Sequence, residues 1–301
     1  MSAKIPVILD TDIGGDIDDA WALALILKSP ELDLKMVLTD TGNPLFRGAV
    51  AAKYLEAAGR TDVPIGLGVY ENDGTGPQEP WLGDYQLSDY AGQVHEDGVG
   101  ALIEMVMASP EPITFFCISA VPNLRVALEQ EPRLAQKVRI VGMFGSLRMG
   151  YDGRDEIDAE TNVKLDPDGC RQMLSTFPDI TLTPLDTCGI VHLTRPKYDR
   201  IHDCQDSLIK HLIESYYSWA EHASWTQVNP RMVTSTLFDT VAVYLAISET
   251  FLEIEELGIR VTAAGYTLID ENEKRIRCAT RWKDLAAFED WLVERLTKDC
   301  S

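Results

Sequence analysis

Five aspartates lie within ten residues near the N-terminus of this chain. The segment, called the aspartate segment below, runs Asp10-Thr-Asp12-Ile-Gly-Gly-Asp16-Ile-Asp18-Asp19 and leads into an apolar stretch. Like charges this close together are unfavourable unless a cation or strong hydrogen bonds compensate them. Carboxylate oxygens suit a hard cation, Ca²⁺ or Mg²⁺. The sequence therefore predicts a metal site here rather than a solvated acidic loop.

Predicted elements on both sides would hold this segment at one edge of a sheet. Residues 6–10 have the pattern of a buried strand, and residues 20–27 have that of a buried helix. In an open α/β sheet, ligands bind beside the carboxyl ends of the strands. The aspartates would therefore lie where such a fold binds its ligands.

Strands and helices continue to alternate, which favours an α/β fold with a mostly parallel central sheet and helices on both faces. Strand patterns follow at 34–39, 63–67, 113–118, 138–143 and 180–184, and helix patterns at 48–58, 98–108, 121–129 and 169–175. Later, 208–223 and 241–250 are predicted helices, 259–268 and 275–281 a small β-hairpin, and 282–298 an amphipathic C-terminal helix. Residues 70–95 have little periodicity, which is typical of a functional or disordered loop. With no repeat or linker, residues 1–301 are predicted to form a single domain.

Net charge and cysteine usage limit the partners and the compartment. The chain has 27 Lys+Arg and 48 Asp+Glu, a net charge of −21, so binding to nucleic acid or to an anionic membrane surface is disfavoured. No stretch approaches about 18 consecutive apolar residues, and the N-terminus lacks a signal-peptide pattern. The cysteines are scattered without a Cys-x-x-Cys pair, which predicts reduced thiols and a cytoplasmic protein. They are Cys117, Cys170, Cys188, Cys204, Cys278 and Cys300.

Six short motifs, in order along the chain, carry a resemblance to one known family. The aspartate segment resembles the signature Asp-x-Asp-Pro-Gly-x-Asp-Asp-Ala of the inosine–uridine-preferring nucleoside hydrolases, with two extra residues and Ile13 in place of the proline. The other five are Thr41-Gly42-Asn43, His95-Glu96-Asp97-Gly98, Val121-Pro122-Asn123-Leu124, Ala159-Glu160-Thr161-Asn162 followed by Asp166-Pro167, and Phe238-Asp239-Thr240-Val241-Ala242. The ordered set, over about residues 5–245, identifies the chain as a member of this family.

The resemblance implies a nucleoside hydrolase fold, Rossmann-like, and one activity. That activity is the Ca²⁺-dependent hydrolysis of the N-glycosidic bond of a ribonucleoside or related riboside, which gives ribose and free base. The implied calcium ligands are the carboxylates of Asp10, Asp19 and Asp239 and the backbone carbonyl of Pro122. Asp10 would also be the general base that activates a metal-bound water. The groups implied to hold the ribose hydroxyls are Asp18, Asn43, Glu160 and Asn162; Asp12 would serve hydrogen bonding within the loop, and the role of Asp16 stays open.

Two departures from the family pattern concern the base rather than the sugar. Phe238 stands where purine-accepting members have a histidine that protonates the leaving base, and Arg154 stands where many members have an asparagine. Phenylalanine cannot transfer a proton, so either another residue supplies it or the leaving group departs without that help. His222 could be the acid and Trp219 or Trp225 could stack on the base, although these side chains could also serve packing. His95, matched to a family histidine near the substrate, is a further candidate for substrate binding.

Two other functions stay open at this point. Haloacid-dehalogenase-type phosphatases also place Asp-x-Asp after their first strand, so a Mg²⁺-dependent phosphatase with Asp10 as nucleophile is the enzymatic alternative. A non-catalytic, calcium-dependent riboside-binding protein is the other, since it would need no acid. The resemblance also implies a homo-oligomer, a dimer or tetramer, because family members commonly assemble in this way.

Overall fold

The computed structural model describes residues 3–300 of the chain. The strands of this range form one sheet. In chain order the ten strands of this range are β1 (Ile5–Thr11), β2 (Leu32–Thr39), β3 (Ile65–Gly66), β4 (Val94–His95), β5 (Ile113–Cys117), β6 (Val138–Met143), β7 (Ile180–Thr183), β8 (Leu252–Val261), β9 (Thr267–Ile269) and β10 (Arg275–Trp282). They lie side by side in the order β4-β3-β2-β1-β5-β6-β7-β10-β8-β9. Neighbouring strands from β4 to β10 are parallel, while β8 pairs antiparallel with both β10 and β9.

Twelve α-helices in the same range cover the sheet. They are α1 (Asp18–Lys28), α2 (Pro44–Ala57), α3 (Glu79–Leu82), α4 (Gly98–Ala108), α5 (Pro122–Gln130), α6 (Thr161–Leu165), α7 (Pro167–Thr176), α8 (Leu185–Cys188), α9 (Lys197–His202), α10 (Ser207–His222), α11 (Thr240–Ile247) and α12 (Leu285–Leu296). Three short 3₁₀ turns lie at Leu87–Asp89, Pro132–Gln136 and Tyr151–Gly153.

Two apolar cores lie on opposite faces of the sheet, because side chains alternate between faces along each strand. In β1, Val7 and Leu9 pack with residues of α1, α2, α10, α11 and α12, whereas Ile8 packs with α4, α5 and α7 on the other face. All three side chains are fully buried, as expected for a parallel strand covered on both sides. The predicted mostly parallel sheet with helices on both faces is confirmed.

The order of the strands reverses at β1. The chain adds β2, β3 and β4 on one side of β1 and then crosses to add β5, β6 and β7 on the other. The carboxyl ends of β1 and β5 therefore face a crevice between the two directions of winding, the usual ligand position in this class of sheet. The aspartate segment follows β1 directly and lies at that crevice.

The C-terminal hairpin differs from its prediction. Residues 259–268 are not one strand, because the Thr262 N–H donates a hydrogen bond to the Tyr266 carbonyl and Gly265 adopts a φ of +83°. This tight turn separates β8 from β9, and β8 begins earlier, at Leu252. The predicted small hairpin is therefore a three-stranded antiparallel unit that extends the sheet.

Residues 70–95 are ordered and partly regular, with α3 and β4 among them. Their first part packs against the loop that follows β2: the Glu71 N–H donates to the Gly42 carbonyl at 2.9 Å. Gly76 passes so close to the backbone that a Cβ there would lie 2.0 Å from the Gly14 carbonyl oxygen. This long connection thus helps to fix the backbone of the aspartate segment.

The cysteine prediction is wrong for one pair. Cys204 and Cys300 form a disulfide, with 5.2 Å between their Cα atoms and 96 residues between them in sequence. It links the segment between α9 and α10 to the residues that follow α12. The other four cysteines are free and buried.

Among the described residues, no helix combines the length and the apolar character needed to cross a membrane.

Candidate active site

A cavity of about 1050 Å³ opens at the carboxyl ends of the central strands. Two sets of residues stand out in its lining. The set that follows strand ends or begins helices is called the acidic wall: Asp12, Asp18, Asp19, Glu160, Asn162 and Asp239. The set carried by two connecting segments, 192–194 and 225–236, is called the loop wall: His192, Thr194, Trp225, Gln227, Thr234 and Thr236.

Three carboxylates of the acidic wall form a cluster that could hold a cation. Asp18 and Asp19 lie in the first turn of α1, and Asp239 is the residue before α11. One oxygen of each lies within 4.8 Å of the others, and all three side chains are buried. The N-terminal ends of two helices thus meet at the cluster, and their dipoles favour negative charge there.

Neighbouring hydrogen bonds fix the backbone that carries this cluster. Thr11 Oγ1 donates to Asp19 Oδ1 at 2.5 Å and accepts from the Ile13 N–H at 3.1 Å. Arg47, on α2, donates from Nη1 to the Ile13 carbonyl at 3.1 Å, and its Nη2 lies 3.8 Å from Asp12 Oδ2. Gly14 adopts a φ of +101°, which a residue with a side chain would rarely accept. The aspartate segment is therefore held in one conformation.

Burial dominates the electrostatics of the acidic wall. It raises the pKa values of Asp18, Asp19 and Asp239 well above the ordinary carboxyl range, and repulsion among neighbouring aspartates raises them further. A cation would offset both effects, because it stabilises the ionised carboxylates. The oxygen-only donor set fits a hard divalent cation such as Ca²⁺ or Mg²⁺. The residues present therefore fit the predicted kind of metal.

Asp10 and Asp12 are placed differently from what the sequence suggested. Asp10 is fully buried within β1 and does not line the cavity. Its Oδ1 accepts from Asn123 Nδ2 at 2.8 Å, Asp40 lies beside it, and burial raises its pKa to about 7. Asp12, the first residue after the strand, lines the cavity. The predicted general base and metal ligand Asp10 is thus behind the wall, and Asp12 is the carboxylate at its surface.

Glu160 and Asn162, predicted to bind the sugar, line the same cavity as the aspartates. Glu160 caps α6 and accepts from the N–H groups of Gly145, Asn162 and Val163 at 2.7–3.2 Å. Burial nevertheless raises its pKa to about 7. Asn162 Nδ2 donates to the carbonyls of Ile118 and Met143, so its Oδ1 is the amide atom that can accept from a ligand. Both side chains are positioned by backbone contacts.

Four other predicted residues are not brought to this cavity. Asn43 caps α2, where its Oδ1 accepts from the N–H groups of Leu45 and Phe46. His95 lies in β4 at the far edge of the sheet, three strands from β1. His222 is exposed, and its Nδ1 lies 2.8 Å from the carbonyl of Ser218 in its own helix. Pro122 begins α5 and is buried outside the lining set.

The residues that the sequence placed near the base differ in position. Trp225 lines the cavity with 60% of its surface exposed, and its ring lies 6.4 Å from that of Trp219, edge to face. Arg154 lies outside the lining set, with Nη2 paired to Asp158 at 2.6 Å. Its difference from the family pattern therefore has no direct effect on the cavity.

Tyr151 and His192 line the cavity, and the sequence did not single them out. The Tyr151 ring contacts Phe238 edge to face at 5.9 Å. His192 Nε2 lies 3.3 Å from Thr236 Oγ1, across 44 residues of sequence. Nothing in the motifs marks these two positions, whereas the position of Asp12 just after a strand was a signal for it.

Comparison with known proteins gives a consistent result. Residues 7–290 match the family described as inosine-uridine preferring nucleoside hydrolase. The chain is 24% identical over 299 residues to a probable uridine nucleosidase 2 of Arabidopsis thaliana, covering 92% of this chain and 89% of that protein. It is 26% identical over 274 residues to an inosine-uridine preferring nucleoside hydrolase of Crithidia fasciculata, covering 86% and 84%. A solved plant nucleoside hydrolase superposes with a TM-score of 0.80 at 23% identity, over 97% of this chain and 99% of that one, which shows a shared fold.

The family match covers nearly the whole chain, and it includes the strand ends that carry the acidic wall. The resemblance seen in the ordered motifs is therefore confirmed. The chain belongs to the inosine-uridine preferring nucleoside hydrolase family, and it is a hydrolase that acts on N-glycosyl compounds.

Proposed function

We propose that this protein is a calcium-dependent ribonucleoside hydrolase, which cleaves the N-glycosidic bond of a ribonucleoside or related riboside into ribose and free base. The observation that carries the proposal is the buried cluster of Asp18, Asp19 and Asp239 in a cavity of a chain from this family. Buried carboxylates at this density need a compensating cation, and an oxygen-only donor set suits calcium.

Asp12, Asp19 and Asp239 are the carboxylates proposed to hold the metal: the last two belong to the cluster, and Asp12 lines the same cavity. When bound, a hard divalent cation supplies positive charge that lowers the pKa of water and orients hydroxyl oxygens. Asp18, Glu160 and Asn162 are proposed to accept hydrogen bonds from the ribose hydroxyls. Each lines the cavity, and Glu160 and Asn162 are fixed by backbone contacts before any ligand binds.

The acidic wall suits the electronic demand of the reaction. As the bond from C1′ to the base nitrogen breaks, the sugar gains oxocarbenium character and positive charge. Fixed negative groups around the ring stabilise that charge without reorganising during the step. Asp12 is proposed to accept the proton of the attacking water, because it is the carboxylate of the Asp-x-Asp pair that lines the cavity.

A pair of substitutions in the same motif tests the proposal. Asp12→Asn is expected to lower kcat for nucleosides by about 10³-fold, since the base is lost and the side-chain volume is kept. Asp10→Asn is the matched control. It should lower thermal stability, because it alters the hydrogen bond that Asn123 donates to Asp10, and it should leave kcat much less affected than Asp12→Asn does. Free ribose release from purine and pyrimidine nucleosides, with calcium and with a chelator, is the measurement. Full activity of Asp12→Asn, or activity insensitive to the chelator, would contradict the proposal.

The two alternatives are distinguished in the same assays. A phosphatase with Asp10 as nucleophile is disfavoured, because that carboxylate is fully buried and bonded to Asn123. Phosphate release without ribose release would favour it. A calcium-dependent riboside-binding protein would bind ribose in calorimetry and release no base from any nucleoside.

Assembly and location stay predictions that accompany this function. A homo-dimer or tetramer is expected from the family resemblance, and sedimentation equilibrium of the purified chain measures it. The cytoplasmic location is expected from the sequence composition, and fractionation of the source cells measures it.

A further inference from the structure

Departure of the base needs a proton donor that the acidic wall does not supply. Phe238 stands beside Asp239, and its ring packs against Tyr151. A purine or pyrimidine leaves poorly as an anion, so protonation during bond cleavage contributes about 10²–10⁴-fold to the rate. The donor must therefore be sought among the other side chains of the cavity.

Tyr151 is one proton-bearing side chain of the cavity, but its hydroxyl is already engaged. Its oxygen accepts from the Thr161 N–H at 3.0 Å and lies 2.9 Å from Thr161 Oγ1. Burial and the nearby Glu160 raise the pKa of this phenol above its ordinary range. A hydroxyl that is held in this way and is less acidic than usual is a poor donor to a departing base.

Among the residues that the structure describes, His192 is the one histidine that lines the cavity. The segment around it runs beside residues 233–237: the Leu193 carbonyl accepts from the Thr234 N–H, and the Val191 carbonyl accepts from the Leu237 N–H. The side chains of Val191 and Leu193 are fully buried. Because neighbouring side chains alternate in extended backbone, His192 faces the cavity while its neighbours anchor the segment.

One ring nitrogen of His192 lies within hydrogen-bonding distance of a side chain of the loop wall. Nε2 lies 3.3 Å from Thr236 Oγ1, and Thr236 is on the segment that leads into Asp239. The protonated imidazole has two N–H donors, so Nε2–H can be donated to Thr236 while Nδ1–H is available to a ligand. Imidazole is also the side chain that most readily transfers protons near neutral pH.

We propose that His192 is the general acid that protonates the leaving base, an inference that rests on the proposed function and deepens it. The bond from C1′ to the base nitrogen breaks with its electron pair going to the base. The imidazolium proton goes to a base nitrogen and leaves neutral imidazole. Water forms the new bond to C1′, and its proton goes to Asp12. Exchange with solvent restores both side chains, so the products are ribose and neutral base.

The test compares substrates that do and do not need an acid. His192→Gln keeps a hydrogen-bonding side chain beside Thr236 and removes proton transfer. The substrates are inosine, uridine and 4-nitrophenyl β-D-ribofuranoside, whose phenolate departs without protonation. We expect kcat/KM for the better of the two nucleosides to fall by about 10²-fold or more, and that for the nitrophenyl riboside to stay within about threefold. His211→Gln is the matched control, since His211 is on α10 outside the cavity and bonded to the Ser207 carbonyl.

Each other outcome overturns the inference in a distinguishable way. Equal losses on both substrate types would show that His192 binds or supports the fold rather than acting as an acid. Asp152 also lines the cavity. Unchanged nucleoside turnover in His192→Gln, or the selective loss in Asp152→Asn instead, would assign the proton to another group. A wild-type enzyme that releases ribose from neither nucleoside would overturn the proposed function itself, and the His192 assignment with it.

Discussion

The two walls of the cavity are built in different ways. The acidic wall is carried by a strand end and by the first turns of helices, and hydrogen bonds from Thr11, Arg47 and backbone N–H groups fix it. The loop wall is carried by connecting segments and consists largely of hydroxyl-bearing, aromatic and amide side chains. Its Trp225 is 60% exposed, whereas Asp19 and Asp239 are each 2% exposed.

This difference fits the proposed function, in which the acidic wall binds the sugar and the loop wall faces the base. All substrates of such an enzyme share the sugar, so its site can be rigid, charged and buried. The base varies, and loops accept sequence changes at less cost to the fold than strand ends do. Changes in the acidic wall should therefore affect every riboside, and changes in the loop wall should discriminate between bases.

The largest expected effect is that of Asp239→Asn. Loss of one carboxylate from the cluster should lower kcat/KM by about 10³-fold for nucleosides and for 4-nitrophenyl riboside alike, because metal and sugar binding serve both. Asp155→Asn, in an exposed loop, is the control. Steady-state kinetics on both substrate types is the measurement. A loss confined to nucleosides would contradict the separation of the two walls.

A second prediction concerns pH and calcium. Burial raises the pKa values of Asp10 and Glu160 to about 7, so the metal-free folded state binds more protons than the unfolded state between the ordinary carboxyl range and that pH. Stability from these groups is complete below the ordinary range and falls as the pH rises through about 7. Burial also raises the pKa values of Asp19 and Asp239, two of the proposed metal ligands, so calcium should offset their share of the loss and raise Tm by about 5–10 °C at pH near 7.5, and by less near pH 5.

Thermal denaturation with calcium and with a chelator, over that pH range, measures the difference. The control is Asp239→Asn, in which the calcium-dependent rise should largely disappear. Coincident Tm curves with and without calcium would show that the acidic wall is not a cation site.

The third prediction addresses the loop wall. Trp225→Ala should raise KM for nucleosides by about tenfold with a smaller change in kcat, since stacking of an aromatic ring on a base contributes about 1–3 kcal/mol. Inhibition by free ribose should stay unchanged, because ribose lacks the base. Trp225→Phe should recover most of the loss. Weaker ribose inhibition in Trp225→Ala would place this side chain at the sugar and contradict the comparison.

The smallest expected effect is that of Tyr151→Phe. The hydroxyl is bonded to Thr161 rather than directed to a ligand, so kcat for nucleosides should change by less than about threefold. Steady-state kinetics beside His192→Gln measures this directly. A loss as large as that of His192→Gln would make Tyr151 the proton donor.

Much of the fold followed from local pattern, and its failures have identifiable causes. Helix α4 was predicted with the bounds that the structure has, because its apolar residues recur at helical spacing and Asp97 caps it. The strand over 259–268 failed because an apolar run does not reveal the turn at Gly265. The Cys204–Cys300 pair was missed because the two residues meet only after α9, α10 and α12 pack.

In the candidate site too, some features followed from local sequence pattern and others only from packing. The sequence indicated a metal site in the aspartate segment and the remote Asp239, and the structure brings Asp18, Asp19 and Asp239 together. It assigned a metal carboxylate and the general base to Asp10, whereas Asp12 is the one of the two that lines the cavity. Their difference depends on how far β1 pairs with β2 and β5, since Asp10 is paired on both sides and Asp12 lies beyond the sheet.

By itself, the sequence determined the α/β class, the family and the acidic character of the candidate site, because these depend on local periodicity and on short ordered motifs. The tertiary structure alone decided which carboxylate reaches the cavity and which histidine faces it. His192 and Thr236 are separated by 44 residues, and Asp10 is covered by Asn123 and Asp40 from two other segments. Such contacts arise from packing between elements, and no local pattern of residues specifies them.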